Sequence, residues 1–133
     1  MRVLIIDDEE DFRAIAGTCL GILGGVTVSE AENGKIGLDK AEADQPDVIL
    51  LDLIMPEMDG ITTLHELRKN PKTEDIPVIF MTTKGMFDEF EDMKKLGALA
   101  VITKPFDPEK LADQIRKILE NASQNQVGTI KEL

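Results

Sequence analysis

Asp47-Val48-Ile49-Leu50-Leu51-Asp52-Leu53-Ile54-Met55-Pro56-Glu57-Met58-Asp59-Gly60 is the stretch that decides the fold. Residues 48–51 form an unbroken apolar run of branched side chains. The run is too short for a helix and suits a strand covered on both faces. It ends on a carboxylate, Asp52. Asp59-Gly60 then marks a helix start, with Asp as N-cap, and Ile61, Leu64 and Leu67 mark one face of the helix that follows.

The same alternation extends in both directions. Residues 3–6, 78–80 and 99–102 are further short apolar runs, and the more polar Val26-Thr27-Val28 suits an edge strand. Between them, Phe12, Ile15, Ala16, Cys19, Leu20 and Leu23 follow helical spacing, as do Leu111, Ile115, Ile118 and Leu119. Met86, Phe90 and Met93 mark another helix, and Ile36 and Leu38 one after Asn33-Gly34. Gly24-Gly25, Gln45-Pro46, Asn70-Pro71 and Gly97 fall where helices should stop, and Asp107-Pro108 where the last should start. Strand and helix repeated about five times call for parallel strands with right-handed crossovers and helices on both faces, a doubly wound α/β domain. Residues 1–121 form that domain, and 122–133 read as a polar tail or linker stub.

The 133 residues suffice for one domain with a real core, being 42% hydrophobic and 31% charged. A net charge of −11 repels phosphate backbones and anionic lipid, and with no Trp or Tyr and 5 Phe there is little material to stack bases. Direct nucleic-acid binding and membrane association are therefore not expected. The single cysteine, Cys19, forms no intramolecular disulfide and sits on an apolar helix face as core packing. No apolar run approaches the roughly 20 residues of a membrane span, and a cytoplasmic location is expected. His65 reads as a surface residue.

In an open parallel sheet, ligands bind beyond the carboxyl ends of the strands. Those ends carry Asp7-Asp8, Asp52, Thr82-Thr83 and Thr103-Lys104-Pro105. Taken singly, Asp52 reads as a turn residue or helix cap, Thr82 as a strand residue and Lys104 as a solvated amine. Placed together on one rim, three carboxylates repel one another unless their pKa values rise or a cation lies among them. All-oxygen donors select a hard ion such as Mg²⁺, for which Mn²⁺ can substitute.

Several motifs in this order resemble the receiver domain of two-component response regulators, of the CheY-like superfamily, from about Arg2 to Asn121. They are Ile5-Ile6-Asp7-Asp8-Glu9, Ala31-Glu32-Asn33-Gly34, the stretch from Asp47 to Gly60, Pro77-Val78-Ile79-Phe80-Met81-Thr82-Thr83, Gly97-Ala98 and Lys104-Pro105-Phe106. The resemblance implies five parallel strands in the flavodoxin-like order 2-1-3-4-5. It implies that Asp52 accepts a phosphoryl group from a phosphohistidine of a sensor histidine kinase or phosphotransfer protein. Mg²⁺ would be held by Asp7, Asp8, Asp52 and the backbone carbonyl of Ile54. Lys104 would bind the phosphoryl oxygen, Thr82 with Thr83 would act as the switch, and the Lys104–Pro105 bond would be cis. Output would pass to an unidentified downstream protein, or to a second copy, through the fourth helix, fifth strand and fifth helix, with Phe87 as a candidate contact.

Where relatives often carry Tyr or Phe, three residues before Lys104, this chain has Val101. Ile54 and Lys84 stand where relatives tune the access of water to the acyl phosphate. A branched apolar group and a long cation there predict a fairly long-lived phosphorylated state. A stand-alone regulator is favoured over a receiver fragment of a larger regulator or hybrid kinase, or a phosphorelay intermediate. A phosphohydrolase of the haloacid dehalogenase kind needs a second Asp two residues after its nucleophile, and here that position is Ile54. A nucleotide-binding domain lacks its Gly-rich loop. The expected activity is signalling, not enzymatic turnover.

Overall fold

The computed structural model of the protein describes residues 1–83 and 94–132, with side chains as far as Ser123. Five parallel strands, β1 (Arg2–Ile6), β2 (Thr27–Ala31), β3 (Val48–Asp52), β4 (Val78–Thr83) and β5 (Ala100–Lys104), lie in the order β2-β1-β3-β4-β5. The described helices are α1 (Glu10–Thr18), α2 (Gly34–Asp44), α3 (Gly60–Lys69) and the C-terminal α4 (Leu111–Glu132). The helix expected on Met86, Phe90 and Met93 lies outside the described residues, as do Lys84 and Phe87.

Because successive strand residues face opposite sides, each apolar run supplies two cores. Leu4, Ile6, Ile49, Leu51 and Phe80 pack with Ala41 of α2 and Leu64 and Leu67 of α3. Val3, Ile5, Val48, Leu50, Ile79 and Met81 pack with Ala16 and Leu20 of the first helix and Leu111, Ala112 and Ile115 of α4. Each fully buried Leu or Ile of this kind contributes about 1.5–3 kcal/mol.

The start of the α2 and α3 helices is set by side-chain caps. The Oδ1 atom of Asn33 accepts from the Ile36 N–H at 2.8 Å, and that of Asp59 accepts from the Thr62 N–H at 2.8 Å. At the other end of α2, Gln45 stands in the left-handed region at φ 49°.

Three details depart from the sequence reading. Helix α1 continues into a π-helical turn, Cys19–Leu23, whose wider turn rotates Leu23 off the apolar stripe, so that it is 62% exposed. Ile15 is also exposed, because only Ala16, Cys19 and Leu20 of that stripe are fully covered. The last helix starts at Leu111, not Pro108. Asp107 does accept from the Glu109 N–H at 3.0 Å, but residues 108–110 form a turn ahead of the helix. Finally, 122–132 continue α4 where a polar tail or linker stub was expected, in a stretch that no proline interrupts.

Candidate functional site

Strand parity builds the site. Asp7 follows Ile5 by two, Asp52 follows Leu50 by two and Lys104 follows Ile102 by two, so all three continue the sheet face covered by α1 and α4. Asp52 closes β3 and Lys104 closes β5, at the carboxyl edge of the sheet. Asp7 and Asp52 are buried at 1% and 7% exposure, whereas Asp8 is exposed.

Carboxylate oxygens of Asp7, Asp8 and Asp52 lie within 4.8 Å of one another. The Lys104 ammonium joins them. Its Nζ lies 2.7 Å from Asp7 Oδ2 and 3.7 Å from both Asp52 Oδ1 and Glu9 Oε1. The far oxygen of Asp7, Oδ1, accepts from the Glu9 N–H at 2.8 Å, and its carbonyl accepts from Arg13 at 2.6 Å. Arg13 Nε in turn pairs with Glu30 at 3.4 Å.

These contacts divide the charges unequally. The Asp52 carboxyl is pushed up to about 7, chiefly by burial and then by the charge of Asp7. Lys104 and the Ile54 N–H work against that shift, and a hydrogen bond with Asp8 adds to it. For Lys104, burial works to lower the pKa. The hydrogen bond to Asp7 and the charges of Asp52, Asp7 and Glu9 outweigh it, so the ammonium is held above its ordinary range.

A cleft of about 320 Å³ opens over this cluster, lined by Asp8, Glu9, Asp52, Leu53, Ile54, Thr82, Thr83 and Lys104. Thr82 is buried, and its hydroxyl makes one long contact, 3.4 Å, to the Thr83 carbonyl, while Thr83 itself is exposed. Ile54 is 62% exposed at the rim. The Lys104–Pro105 bond is cis. Val101 is half-buried against the α2/α3 core and lines a separate groove with Lys110 and Gln114.

A donor set of three carboxylates without imidazole or thiolate, one of them raised by burial and by the charge of its neighbour, fits a hard divalent ion. The same geometry offers a buried oxygen nucleophile beside an ammonium. Sequence reading missed Phe12 and Arg13 as parts of the site. Phe12 was placed in the apolar stripe of α1. Strand parity gives the face that carries Asp7, Asp52 and Lys104, the one that α1 covers, but it does not say which α1 residues reach the cluster.

Comparison with known proteins gives a concordant picture. A family model described as response regulator receiver domain matches residues 3–116. The sporulation initiation phosphotransferase F of Bacillus subtilis is 36% identical over 118 residues, covering 89% of this chain and 93% of that protein. The DNA-binding dual master transcriptional regulator RpaA of Synechocystis is also 36% identical over 118 residues, but only 48% of it is covered. The chain spans about half the length of this and other curated relatives described as transcriptional regulators. Among solved structures, the chemotaxis protein CheY4 of Vibrio cholerae superposes with a TM-score of 0.81 at 29% identity, covering 88% of this chain and 97% of that one.

Proposed function

This chain belongs to the response regulator receiver domains, signalling modules rather than turnover enzymes, and from that premise we propose that it is a phosphorylation switch with Asp52 as the acceptor. In this reading an Asp52 carboxylate oxygen attacks the phosphorus of a phosphohistidine on a partner kinase or phosphotransfer protein. The new O–P bond forms as the P–N bond breaks, and the electron pair stays on the imidazole nitrogen. Phosphoryl transfer of this kind demands in-line placement and charge neutralisation more than covalent help from the protein.

The observation that carries the proposal is the convergence of Asp7, Asp8, Asp52 and Lys104 on one cleft. Asp7, Asp8 and Asp52, with the Ile54 carbonyl, would hold Mg²⁺ or Mn²⁺. When bound, the ion supplies positive charge against the carboxylates and the incoming phosphoryl oxygens. Lys104 supplies the second positive charge as a point donor. The Thr82 hydroxyl is free to turn from its long contact with Thr83 toward an added phosphoryl group, carrying the end of β4 with it. Output then passes to a protein partner. The exposed branched side chain of Ile54 shields the acyl phosphate from water, which favours a long-lived phosphorylated state.

Intact mass after incubation with a small-molecule phosphodonor tests the reading. A single phosphoryl adduct that requires Mg²⁺ and is missing in Asp52→Asn is the expected result. No adduct on a wild type shown to bind Mg²⁺, even with a cognate kinase, would remove Asp52 from the role.

A further inference from the structure

One aromatic ring stands against the charged cluster. The centroid of the Phe12 ring lies 4.1 Å from the Lys104 Nζ. Phe106 meets that ring edge-on, with centroids 5.5 Å apart and planes at 89°. Both rings are half-buried and pack against the core between the sheet, α1 and α4. The Lys104 ammonium is thus walled by carboxylates of Asp7, Asp52 and Glu9 and by the face of a braced aromatic ring.

We propose that Phe12, held in place by Phe106, is a positioning residue for Lys104, seating the ammonium by a cation–π contact so that it remains directed at the Asp52 acceptor. The proposal rests on the receiver reading and adds a residue to it. Its physical logic lies in the charge already present. A fourth carboxylate at this wall would add negative charge beside a buried cluster of acids, whereas a ring attracts the ammonium through its quadrupole and carries no net charge. The attraction is also broad in direction. With three N–H donors, the ammonium can keep its hydrogen bond to Asp7 while turning another toward a phosphoryl oxygen, and the ring face holds it through that reorientation. The edge-on Phe106 favours this orientation of the ring, since edge-to-face is a preferred arrangement of aromatic pairs.

The test uses the full chain with Mg²⁺ and beryllofluoride, an anion that mimics a phosphoryl group on a carboxylate. Phe12→Leu removes the ring while keeping an apolar side chain, Phe12→Tyr keeps the ring face, and a ring-trifluorinated phenylalanine at position 12 keeps the shape but weakens the quadrupole. Beryllofluoride affinity should fall about three- to tenfold in Phe12→Leu, by an intermediate factor with the fluorinated ring, and by less than about twofold in Phe12→Tyr. Mg²⁺ affinity without the anion should stay within about twofold throughout. Equal anion affinity for native and fluorinated rings would overturn the proposal, as would a parallel loss of Mg²⁺ affinity, which marks a merely structural role. A wild type that binds Mg²⁺ but no beryllofluoride would instead overturn the receiver reading itself, and this inference with it.

Discussion

Gly60 approaches Asp52 so closely that a β-carbon at position 60 would collide with the Asp52 carbonyl oxygen. The same carbon would lie 2.9 Å from the Leu53 Cα and 3.1 Å from the Phe80 ring, and the Gly60 N–H donates to the Leu53 carbonyl at 2.9 Å. The loop after β3 is thus folded back on the acceptor strand, and nothing in that wall is a flexible side-chain end except the ring. Gly60→Ala should destabilise the protein by about 1–3 kcal/mol in urea unfolding, through displacement of the Asp52 backbone.

Asp52→Asn should have a pH-dependent effect on stability. The folded carboxyl holds its proton up to about 7, against an ordinary value of 3.8, so the folded state binds the proton more tightly than the unfolded chain. That contribution to stability is fully present below about 3.8 and is lost as pH rises through about 7. Asparagine carries no such loss. With a chelator present, the variant should equal the wild type near pH 4 and exceed it by about 2–4 kcal/mol at pH 8. Added Mg²⁺ should stabilise the wild type and narrow that gap. Identical urea midpoints at pH 8 with chelator would count against the buried, repelled carboxylate.

Lys104→Met should expose the dependence of the buried Asp7 on its ion pair. Asp7 is 1% exposed and would lose its partner at 2.7 Å, a change that costs about 3 kcal/mol when a buried charge is left unpaired. Mg²⁺ should recover part of the deficit, because a cation near Asp7, Asp8 and Asp52 replaces some of the missing positive charge. Thermal unfolding with and without Mg²⁺ measures both.

Arg13→Ala should loosen the loop that carries Asp7 and Asp8. The guanidinium donates to the Asp7 carbonyl at 2.6 Å and pairs with Glu30 of β2 at 3.4 Å, so it ties the β1–α1 loop to the neighbouring strand. Losing it should cost about 1–2 kcal/mol and lower Mg²⁺ affinity severalfold by calorimetric titration. Arg13→Lys should restore little of this, since a single ammonium has no fork to span both partners.

The fold was legible because its inner strands, β1, β3 and β4, are covered on both faces. Runs such as 48–51 carry no polar interruption, and Asn33 and Asp59 declare their helices through cap chemistry that is local in sequence. The candidate site was legible to the extent that its members end strands, as Asp7, Asp52, Thr82-Thr83 and Lys104 do. Arg13 and Phe12 were not legible, because a helix residue's neighbours across a layer depend on how the helix settles on the sheet. The π-helical turn at Cys19–Leu23 shows the same limit. Its apolar spacing is indistinguishable from an α-helical stripe, while the contacts at its end, the close approach of Gly24 to Ala112 and the donation from Arg116 to the Gly24 carbonyl, come from a helix about 90 residues away.

The position of β1 in the sheet bears on how the chain is made. Leu4 is paired with Ser29 on one side and with Ile49 on the other, so the earliest-made of these five strands becomes an interior strand whose second neighbour is synthesised about 45 residues later. Until both neighbours have been made, Val3-Leu4-Ile5-Ile6 is an apolar run with at least one unpaired edge. The run Asp7-Asp8-Glu9-Glu10-Asp11 directly behind it places five negative charges beside that segment, where they act as gatekeepers against association with other chains. Three of those charges, on Asp7, Asp8 and Glu9, thus flank an apolar run before there is a cleft for them to line.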